Sequence, residues 1–410
     1  MRYHDRSFRW FLPVLLILSI AAHSAAQNTK QSPAGDAVAL ARQATEGDAQ
    51  AQVYLGLMYA TGEGVGKNEA EAIRWYRAAA EQGQAQAQFL LGSMYDVGQA
   101  VPKDEAEAIR WYRKAAERGH AGAQDTLGVM YDNGRGVAKD EAEAVRWYRK
   151  AAEQENVDAQ VNLANAYATG RGCPKDELEA TRWYRKAAEQ GNAGAQFSLG
   201  VMYDNGRGVA KDEVEAIRWY REAAEQGDAQ AQFILGVMYA TGSGVPKNNI
   251  QAVDWYRKSA AQGNAGAQFS LGLAYQLGLG VTKSEAEAVR WYRKAAEQGQ
   301  AQAQSNLGNA YAVGEGVAED EVEAARWYRK AAEHGDVDAQ FNLGSAYLAG
   351  RGVQKNAAEA YFWMNLGASA SDEARKAARD QAGGVLTPAK RLEIQARCRK
   401  WAETHSTNRN

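Results

Sequence analysis

Apolar residues recur in two short helical patterns that alternate along most of the chain. The first has the form AQxxLGxxY, in which Ala51, Leu55 and Tyr59 fall at i, i+4 and i+8 and share one face of a helix. The second carries Trp75 and Tyr76 beside small alanines, again at helical spacing. Glycine-containing turns separate the two patterns. The alternation therefore predicts pairs of amphipathic helices joined by short turns.

Each pair recurs after 36 residues, and this register holds nine times without an insertion. The tryptophans are Trp75, Trp111, Trp147, Trp183, Trp219, Trp255, Trp291, Trp327 and Trp363, and tyrosines from Tyr59 to Tyr347 keep the same step. Such a period is typical of a stacked array rather than of a globular domain with a cleft. We therefore expect an all-α solenoid of antiparallel helix pairs, with the tryptophans in the packed seam between helices. Stacking platforms for sugars or bases are the alternative use of these rings.

The second helix of each pair is predicted to begin at a capping box. An N-cap side chain is followed three positions later by Glu or Gln, and each cap contributes about 1 kcal/mol. The nine N-cap residues are Asn68, Asp104, Asp140, Asp176, Asp212, Asn248, Ser284, Asp320 and Asn356. Glycines such as Gly83 and Gly119 are predicted to end these helices in the left-handed conformation. Glu155 stands in one of those glycine positions, so we expect a strained or altered turn there.

The first 26 residues have the order of a secretory signal. Three arginines precede an apolar run from Trp10 to Ala22, and the small residues Ser24 and Ala26 follow it. The run is too short to span a bilayer, so we predict a signal peptide cleaved after Ala26; an uncleaved membrane anchor is the alternative. No cysteine follows the run, which excludes a bacterial lipoprotein anchor. The sequence thus predicts a periplasmic or secreted protein with no integral membrane span after cleavage.

The net charge argues against a nucleic-acid partner, and the cysteine content argues against a fold held by disulfides. The whole chain has a formal net charge of −2, and without the three arginines and one aspartate of the leader it is near −4, with 45 basic against 49 acidic side chains. Such a chain lacks the basic balance that nucleic acid selects, so no nucleic-acid partner is predicted. The two cysteines make no disulfide framework, and Cys173 is expected to be a small buried apolar residue.

Two loop sequences look like ligand sites but are predicted to be turns. YDNGRGVAKDE occurs at 131–141 and 203–213, with oxygens spaced as in a calcium loop. Equivalent positions elsewhere lose the oxygens and mostly keep the glycines, which a turn allows and a metal site does not. GEGVGK at 62–67 lacks the first glycine, the final Ser/Thr and the preceding strand of a phosphate loop. The histidines have no nucleophile or metal partner at a recognisable spacing, so no catalytic residue, metal or cofactor is predicted.

The repeat unit as a whole resembles the Sel1-like repeat, a relative of the tetratricopeptide repeat. AQFSLGVMYDNGRGVAKDEVEAIRWYREAAEQGD at 195–228 carries its Ala-Gln, Leu-Gly, Tyr, GxGV, Glu-Ala, Trp-Tyr and Ala-Ala in order, and the match covers about residues 48–370. The departures are Ala164 for glycine, Gln99-Ala100 in the second turn, and Phe362-Trp363 for Trp-Tyr. The resemblance implies a right-handed superhelix and a non-enzymatic role in protein–protein interaction. Some secreted, cysteine-rich relatives bind or hydrolyse β-lactams, but they carry a cysteine pair in most repeats, and this chain has none.

These signals divide the chain into four parts. We predict a signal peptide at 1–26, an N-terminal capping half-repeat at 27–47, nine Sel1-like repeats at 48–370, and C-terminal capping helices with a tail at 371–410. The half-repeat has Ala39 where the tryptophan would stand. The last helix is predicted to begin with Thr387 and Pro388.

Two variable columns on the first helices are predicted to form a partner-binding groove. By helical angle they face away from the core, and in the middle of the array they are apolar: Phe197, Val201, Phe233, Val237, Phe269 and Leu273. An exposed apolar row of that length would need a partner. The alternative, which we favour for the phenylalanines, is that they pack against the neighbouring repeat. The two valines and Leu273 are then the better groove candidates.

The sequence therefore predicts a non-enzymatic scaffold or adaptor that binds an unknown protein or peptide along the groove. Two alternatives stay open: a repeat protein that binds or hydrolyses β-lactams or binds another small ligand, and a secreted factor that contacts a host. Labelling by a reactive penicillin would identify the first. Fractionation of a culture would separate the second from a periplasmic scaffold.

Overall fold

The computed structural model describes residues 33–367 and 373–406, and every regular element in those two stretches is an α-helix. The predicted signal peptide lies outside the described residues. The helices are α1 Pro33–Thr45, α2 Ala49–Thr61, α3 Glu69–Glu81, α4 Ala85–Val97, α5 Glu105–Glu117, α6 Ala121–Asn133, α7 Glu141–Glu153, α8 Val157–Thr169, α9 Glu177–Glu189, α10 Ala193–Asn205, α11 Glu213–Glu225, α12 Ala229–Thr241, α13 Asn249–Ala261, α14 Ala265–Leu277, α15 Glu285–Glu297, α16 Ala301–Val313, α17 Glu321–Glu333, α18 Val337–Ala349, α19 Ala357–Gly367, α20 Glu373–Gly384 and α21 Pro388–Ser406. The even-numbered helices α2 to α18 are the first helices of the nine repeats, and α3 to α19 are the second helices.

The chain divides into two compact units, Met1–Lys211 and Asp212–Asn410. Within each unit, a first helix reverses into its second helix through a short turn. In the first repeat, the backbone N–H of Asn68 donates to the C=O of Tyr59 at 2.8 Å and closes that turn. The same bond closes the equivalent turns of the other repeats that lie within one unit. The predicted all-α arrangement of antiparallel helix pairs is confirmed.

The second helices begin at the predicted N-cap residues, but only half of the predicted capping box forms. The Asp104 carboxylate accepts from the N–H of Glu107 at 2.9 Å, as the box requires. The return bond is replaced, because the Asp104 N–H donates to the C=O of Tyr95 at 2.9 Å. The Glu107 carboxylate instead pairs with Arg110 at 3.2 Å. The backbone of the turn therefore takes the donor that the glutamate would otherwise have capped.

Left-handed residues end the helices and shape the turns as predicted, and two of those described are not glycine. Gly134, with φ 67°, ends α6, and Gly136 follows with φ 68°, so the repeated YDNGRGVAKDE segment is a turn. Glu155 (φ 63°) and Ala100 (φ 59°) are the non-glycine residues with positive φ among those described. The Glu155 N–H still donates to Ala152 C=O at 3.1 Å, so the turn keeps its shape. An L-residue in the left-handed conformation costs about 1–2 kcal/mol. The strain predicted for this turn therefore lies at Glu155.

The core of each repeat uses small residues that let two helices approach closely. A Cβ added to Gly128 on α6 would lie 2.6 Å from the ring of Tyr148 on α7. Tyr148 and Leu127 are both buried there. The fourth repeat carries Ala164 in the equivalent place, and that alanine is fully buried. The Leu-Gly pair of the pattern therefore sets the helix separation as well as the hydrophobic contact.

The glutamine of each Ala-Gln pair is buried and ties successive repeats together. Gln124 is 4% exposed, and its Nε2 donates to the C=O of Ala116 on the preceding second helix at 2.9 Å. Its Oε1 accepts from Nε2 of Gln154 at 2.7 Å. The same two bonds recur at Gln160, Gln232 and Gln268. A buried amide satisfied on both sides avoids the desolvation penalty that an unpaired one would carry.

A second tie between repeats uses the tyrosine near the end of each first helix. Arg113 donates to the Tyr131 hydroxyl at 2.8 Å, and Arg221 donates to the Tyr239 hydroxyl at 2.9 Å. Equivalent arginine–tyrosine bonds join the other successive repeats. The recurring tyrosines therefore connect neighbours as well as filling the core.

Additional helices cover the apolar ends of the two units. Ala44 of α1 packs against Ala51 and Leu55 of α2. Ala382 of α20 and Ile394 of α21 join the buried cluster of the ninth repeat. The helix α21 starts at Pro388 as predicted, with Thr387 Oγ1 accepting from the N–H of Lys390 at 3.3 Å. The exact domain boundaries stay predictions.

Candidate partner-binding surfaces

The six predicted groove residues are partly buried rather than open to solvent. They are Phe197 and Val201 on α10 of the first unit, and Phe233, Val237, Phe269 and Leu273 on α12 and α14 of the second. In the second unit all four pack against the cores of the repeats. Elsewhere in the phenylalanine column, Val53, Asp125 and Ser305 are buried. For Phe233 and Phe269 in the second unit, the expectation that this column faces away from the core is therefore wrong.

The phenylalanines fill the space between consecutive first helices. The rings of Phe233 and Tyr256 lie 6.1 Å apart between centroids, and a Cβ on Gly266 of the next repeat would lie 2.9 Å from Phe233. Phe269 lies 5.9 Å from Tyr292 in the same way. These aromatic pairs hold each phenylalanine against the second helix of its own repeat. The groove role stays a prediction for all six residues, and the two valines with Leu273 are its better candidates.

Exposed apolar side chains that the sequence pattern did not predict lie at the ends of two first helices of the second unit. Leu277 is 62% exposed at the end of α14, and Val313 is 67% exposed at the end of α16. Most equivalent positions hold a small or polar residue: Thr61, Asn133, Thr169, Asn205, Thr241 and Ala349. A comparison of the last residue of each first helix would have found this signal.

The tryptophans lie between successive second helices. Trp111 is 8% exposed and packs in one cluster with Ile73 and Tyr76 of the preceding repeat. Trp147, Trp219, Trp327 and Trp363 are also buried, and Trp75, Trp183, Trp255 and Trp291 are partly buried. The Lys114 ammonium lies 3.9 Å from the centre of the Trp111 ring, and other repeats show the same pair. The protein's own side chains thus occupy the ring surfaces that a sugar or base would need.

An arginine forms an ion pair with one or two carboxylates where the turns of successive repeats meet in the first unit. The arginine comes from the turn after a first helix, and the carboxylates come from the preceding repeat. The bridges are Arg135 to Asp96 at 2.8 Å, Arg171 to Asp132 at 2.8 Å and to Glu141 at 3.5 Å, and Arg207 to Glu177 at 3.1 Å. We call these places the arginine junctions.

One junction of the second unit carries a glutamate instead of the arginine. Glu315 stands at the position of the three junction arginines, and a pocket of about 40 Å³ lies beside it. The pocket is lined by Gln276, Glu285, Ala288, Val289, Tyr292, Asn306, Asn309, Ala310 and Glu315. Pockets for drug-sized molecules measure roughly 300–1,000 Å³. This pocket therefore suits the end of one side chain.

Hydrogen bonds fix the charge of the pocket walls. The Tyr292 hydroxyl donates to Gln276 Oε1 at 2.6 Å, and burial raises the pKa of Tyr292 to about 12. Lys283 Nζ lies 3.0 Å from Glu285 Oε1. Hydrogen bonds to Lys283 and then to Glu315 lower the pKa of Glu285. At neutral pH the pocket therefore presents an ionised Glu285 and an uncharged tyrosine.

The other residues with reactive side chains have structural surroundings. Within the described stretches, no group of three or more His, Cys, Asp or Glu side chains is placed to hold a metal ion. Both cysteines are free, and burial raises the pKa of each thiol, that of Cys398 to about 11. His120 is the N-cap of α6, with Nδ1 accepting from the Ala123 N–H at 3.1 Å. No helix in the described part has the length and apolar character needed to cross a membrane.

Known proteins share both the repeat and the fold. The Sel1 repeat family model matches nine consecutive stretches: 49–84, 85–120, 121–156, 157–192, 193–228, 229–264, 265–300, 301–336 and 337–372. A protective antigen present in uropathogenic Escherichia coli strains, which displays an SLR fold, is 33% identical with a TM-score of 0.63, covering 91% of this chain and 95% of that one. A Sel1 repeat protein from Oxalobacter formigenes is 35% identical with a TM-score of 0.60, covering 75% and 89%. A search of curated proteins finds no match.

Proposed function

The chain belongs to the Sel1 repeat family, and we propose that it is a non-enzymatic scaffold that binds a protein or peptide along its first helices. The supporting observation is the contrast between the two sides of those helices. The buried side repeats Ala, Gln and Leu with hardly a change, whereas the partly buried and exposed side varies between repeats. Repeats that stack in one way need the same buried side chains, whereas a surface that recognises one specific partner needs accessible side chains that vary along it.

The variation is concentrated in one column next to the phenylalanines. Its members are Leu57, Ser93, Val129, Asn165, Val201, Val237, Leu273, Asn309 and Ser345. Most are partly buried, and Asn165 and Asn309 are exposed. Leu273, one helical turn before exposed Leu277, supplies apolar contact area, and the amide side chains supply hydrogen bonds that fix the partner's register.

We further propose that the mature chain is exported to the periplasm or the medium. The support is the order of charged, apolar and small residues up to Ala26. The similar E. coli protein is a protective antigen, and an antigen of that kind must be reached by the immune system. Fractionation of a culture, with mass spectrometry of the N-terminus, tests this: a mature chain starting at Gln27 is expected, and an intact N-terminus in the cytoplasm would contradict it.

The scaffold function is tested by crosslinking and pull-down from intact cells. The wild-type chain is compared with Val201→Glu/Val237→Glu, which places two negative charges in the predicted groove. The matched control, Val214→Glu/Val322→Glu, makes the same change at second-helix residues that are 68% and 64% exposed. A further variant, Leu277→Glu/Val313→Glu, alters exposed residues and keeps the test valid if the first pair unfolds the chain.

We expect a protein that crosslinks to the wild type and to the control. The same protein should be lost with the two first-helix variants, provided that they are folded. Recovery with all variants would move the binding surface away from the first helices. If the wild type captures no protein, the scaffold function fails. Labelling of the chain by a reactive penicillin would then support the small-ligand alternative.

A further inference from the structure

We propose that the pocket between Glu285 and Glu315 binds the arginine side chain of a partner peptide. This inference rests on the proposed scaffold function, because it names a chemical feature of the partner. It concerns one junction of the second unit and does not depend on the phenylalanine column.

The protein itself supplies the template for this interaction. In three junctions of the first unit, a guanidinium lies against carboxylates of the preceding repeat: Arg135, Arg171 and Arg207. Glu141 and Glu177, which contact two of these arginines, occupy the position of Glu285 in their own repeats. The arginine is therefore missing where Glu315 replaces it, while its carboxylate partner is still present. The pocket beside Glu315 corresponds to the missing group.

The charges and acceptors of the pocket suit a guanidinium. Glu285 and Glu315 both line the pocket and face one internal cation, Lys283, so two carboxyl groups stand against a single ammonium group. Asn306 and Asn309 add amide oxygens to the lining. An arginine presents five planar donors and binds carboxylates through two parallel bonds, whereas a lysine is a point charge. The arrangement therefore favours arginine over lysine.

Nearby apolar side chains indicate what surrounds that arginine in the partner. Leu277 directly follows the pocket residue Gln276 in the chain, and Val313 precedes Glu315 by two positions. Both are exposed, at 62% and 67%. Apolar side chains beside the arginine would cover them and remove apolar surface from water. The expected occupant is an arginine with apolar neighbours, in an extended peptide or a loop.

The direct test is a titration of the full chain with the peptide acetyl-Leu-Arg-Leu-amide. The matched probe carries citrulline in place of arginine, which keeps the shape and removes the charge. The loss of charge-assisted hydrogen bonds is expected to weaken binding about tenfold. Side-chain amide signals of Gln276, Asn306 and Asn309 in NMR spectra report whether the peptide occupies this pocket.

Three variants locate the effect. Glu315→Arg fills the pocket with the chain's own guanidinium, as the first unit does, and should abolish the preference for arginine. Glu315→Gln removes one carboxylate without filling the pocket and should reduce the preference. The control Ser243→Arg adds the same cation at the equivalent position of another junction, beside Glu213, and should leave the preference intact.

The outcomes separate this inference from the scaffold function. Equal binding of both peptides, or an unchanged preference in Glu315→Arg, overturns the arginine pocket. If a crosslinked partner is recovered equally with wild type and Glu315→Arg, the scaffold function stands and the pocket is not where that partner binds. If no partner is recovered but the arginine preference depends on Glu315, the pocket stands and the scaffold function fails.

Discussion

The side-chain amide of Gln154 donates a 2.7 Å hydrogen bond to Oε1 of Gln124, 30 residues earlier in the chain. Gln124 is buried, so this bond and its bond to Ala116 satisfy an amide that has little access to water. The second repeat breaks the pattern. Among the described residues, Oε1 of Gln88 is buried there without a hydrogen-bond partner, because Arg118 stands where most other repeats carry a donor glutamine.

The first prediction concerns this unpaired acceptor. Arg118→Gln is expected to stabilise the protein by about 0.5–1.5 kcal/mol, since a buried oxygen gains a hydrogen-bond donor. The matched change Gln154→Ala removes the donor from Gln124 and should destabilise by a similar amount. Urea unfolding of both variants measures the effect, and a loss of stability in Arg118→Gln would contradict the proposed pairing.

The second prediction concerns the left-handed turn at Glu155. Glu155→Gly should stabilise the protein by about 1 kcal/mol, because glycine adopts positive φ without the penalty of an L-residue. The mirror variant Gly191→Glu places glutamate at the equivalent residue, where φ is 84° and no atom lies within 4 Å of the added Cβ. It should destabilise by a similar amount. Opposite shifts in thermal midpoint are expected, and shifts of the same sign would refute the strain argument.

The third prediction concerns the close contact of two helices. Gly128→Ala should destabilise the protein by about 1–3 kcal/mol, because its Cβ would overlap the Tyr148 ring. The reverse change, Ala164→Gly, is the control at a repeat that already accommodates a methyl group. We expect a smaller loss there, from helix propensity and an empty methyl site. Equal losses in the two variants would argue against glycine setting the helix separation.

The fourth prediction is a pH dependence of stability. Burial lowers the pKa of His120 below its ordinary value of 6.5, so the folded protein favours the neutral ring. As the pH falls below 6.5, the unfolded chain takes up this proton first, and the stability that His120 contributes is lost. His120→Asn keeps an N-cap residue of the type found at Asn156 and Asn192 and should remove this part of the dependence. Thermal midpoints above and below pH 6.5 test it; identical slopes for the two proteins would exclude His120 as the cause.

The fifth prediction separates core from groove in the second unit. Phe233→Ala should destabilise the protein, by up to about 3 kcal/mol, because its ring packs against Tyr256 and reaches Gly266. Leu277→Ala, at an exposed side chain, should leave stability within about 0.5 kcal/mol. Unfolding curves decide the first expectation, and a fully stable Phe233→Ala would return the phenylalanine column to the groove.

Local signals in the sequence carried the prediction of helices, N-caps and turns. Asp104 caps its helix because the needed donors lie within three residues, and Glu155 was recognised because the register identifies every glycine position. The capping-box prediction failed in part, because the Asp104 N–H finds the carbonyl of Tyr95 across the turn. That acceptor is supplied by the folded turn and not by the box sequence.

By itself, the sequence determined the repeat, its period and the helix pairs, because apolar spacing and capping act over a few residues. Only the tertiary structure decided which variable residues are covered. Phe233 was assigned a favoured orientation by its helix, but the next repeat determines its burial. The pocket at Glu315 likewise depends on Glu285, which belongs to the preceding repeat. Contacts between repeats fix such features, since a residue's position on its own helix says nothing about the surface brought against it.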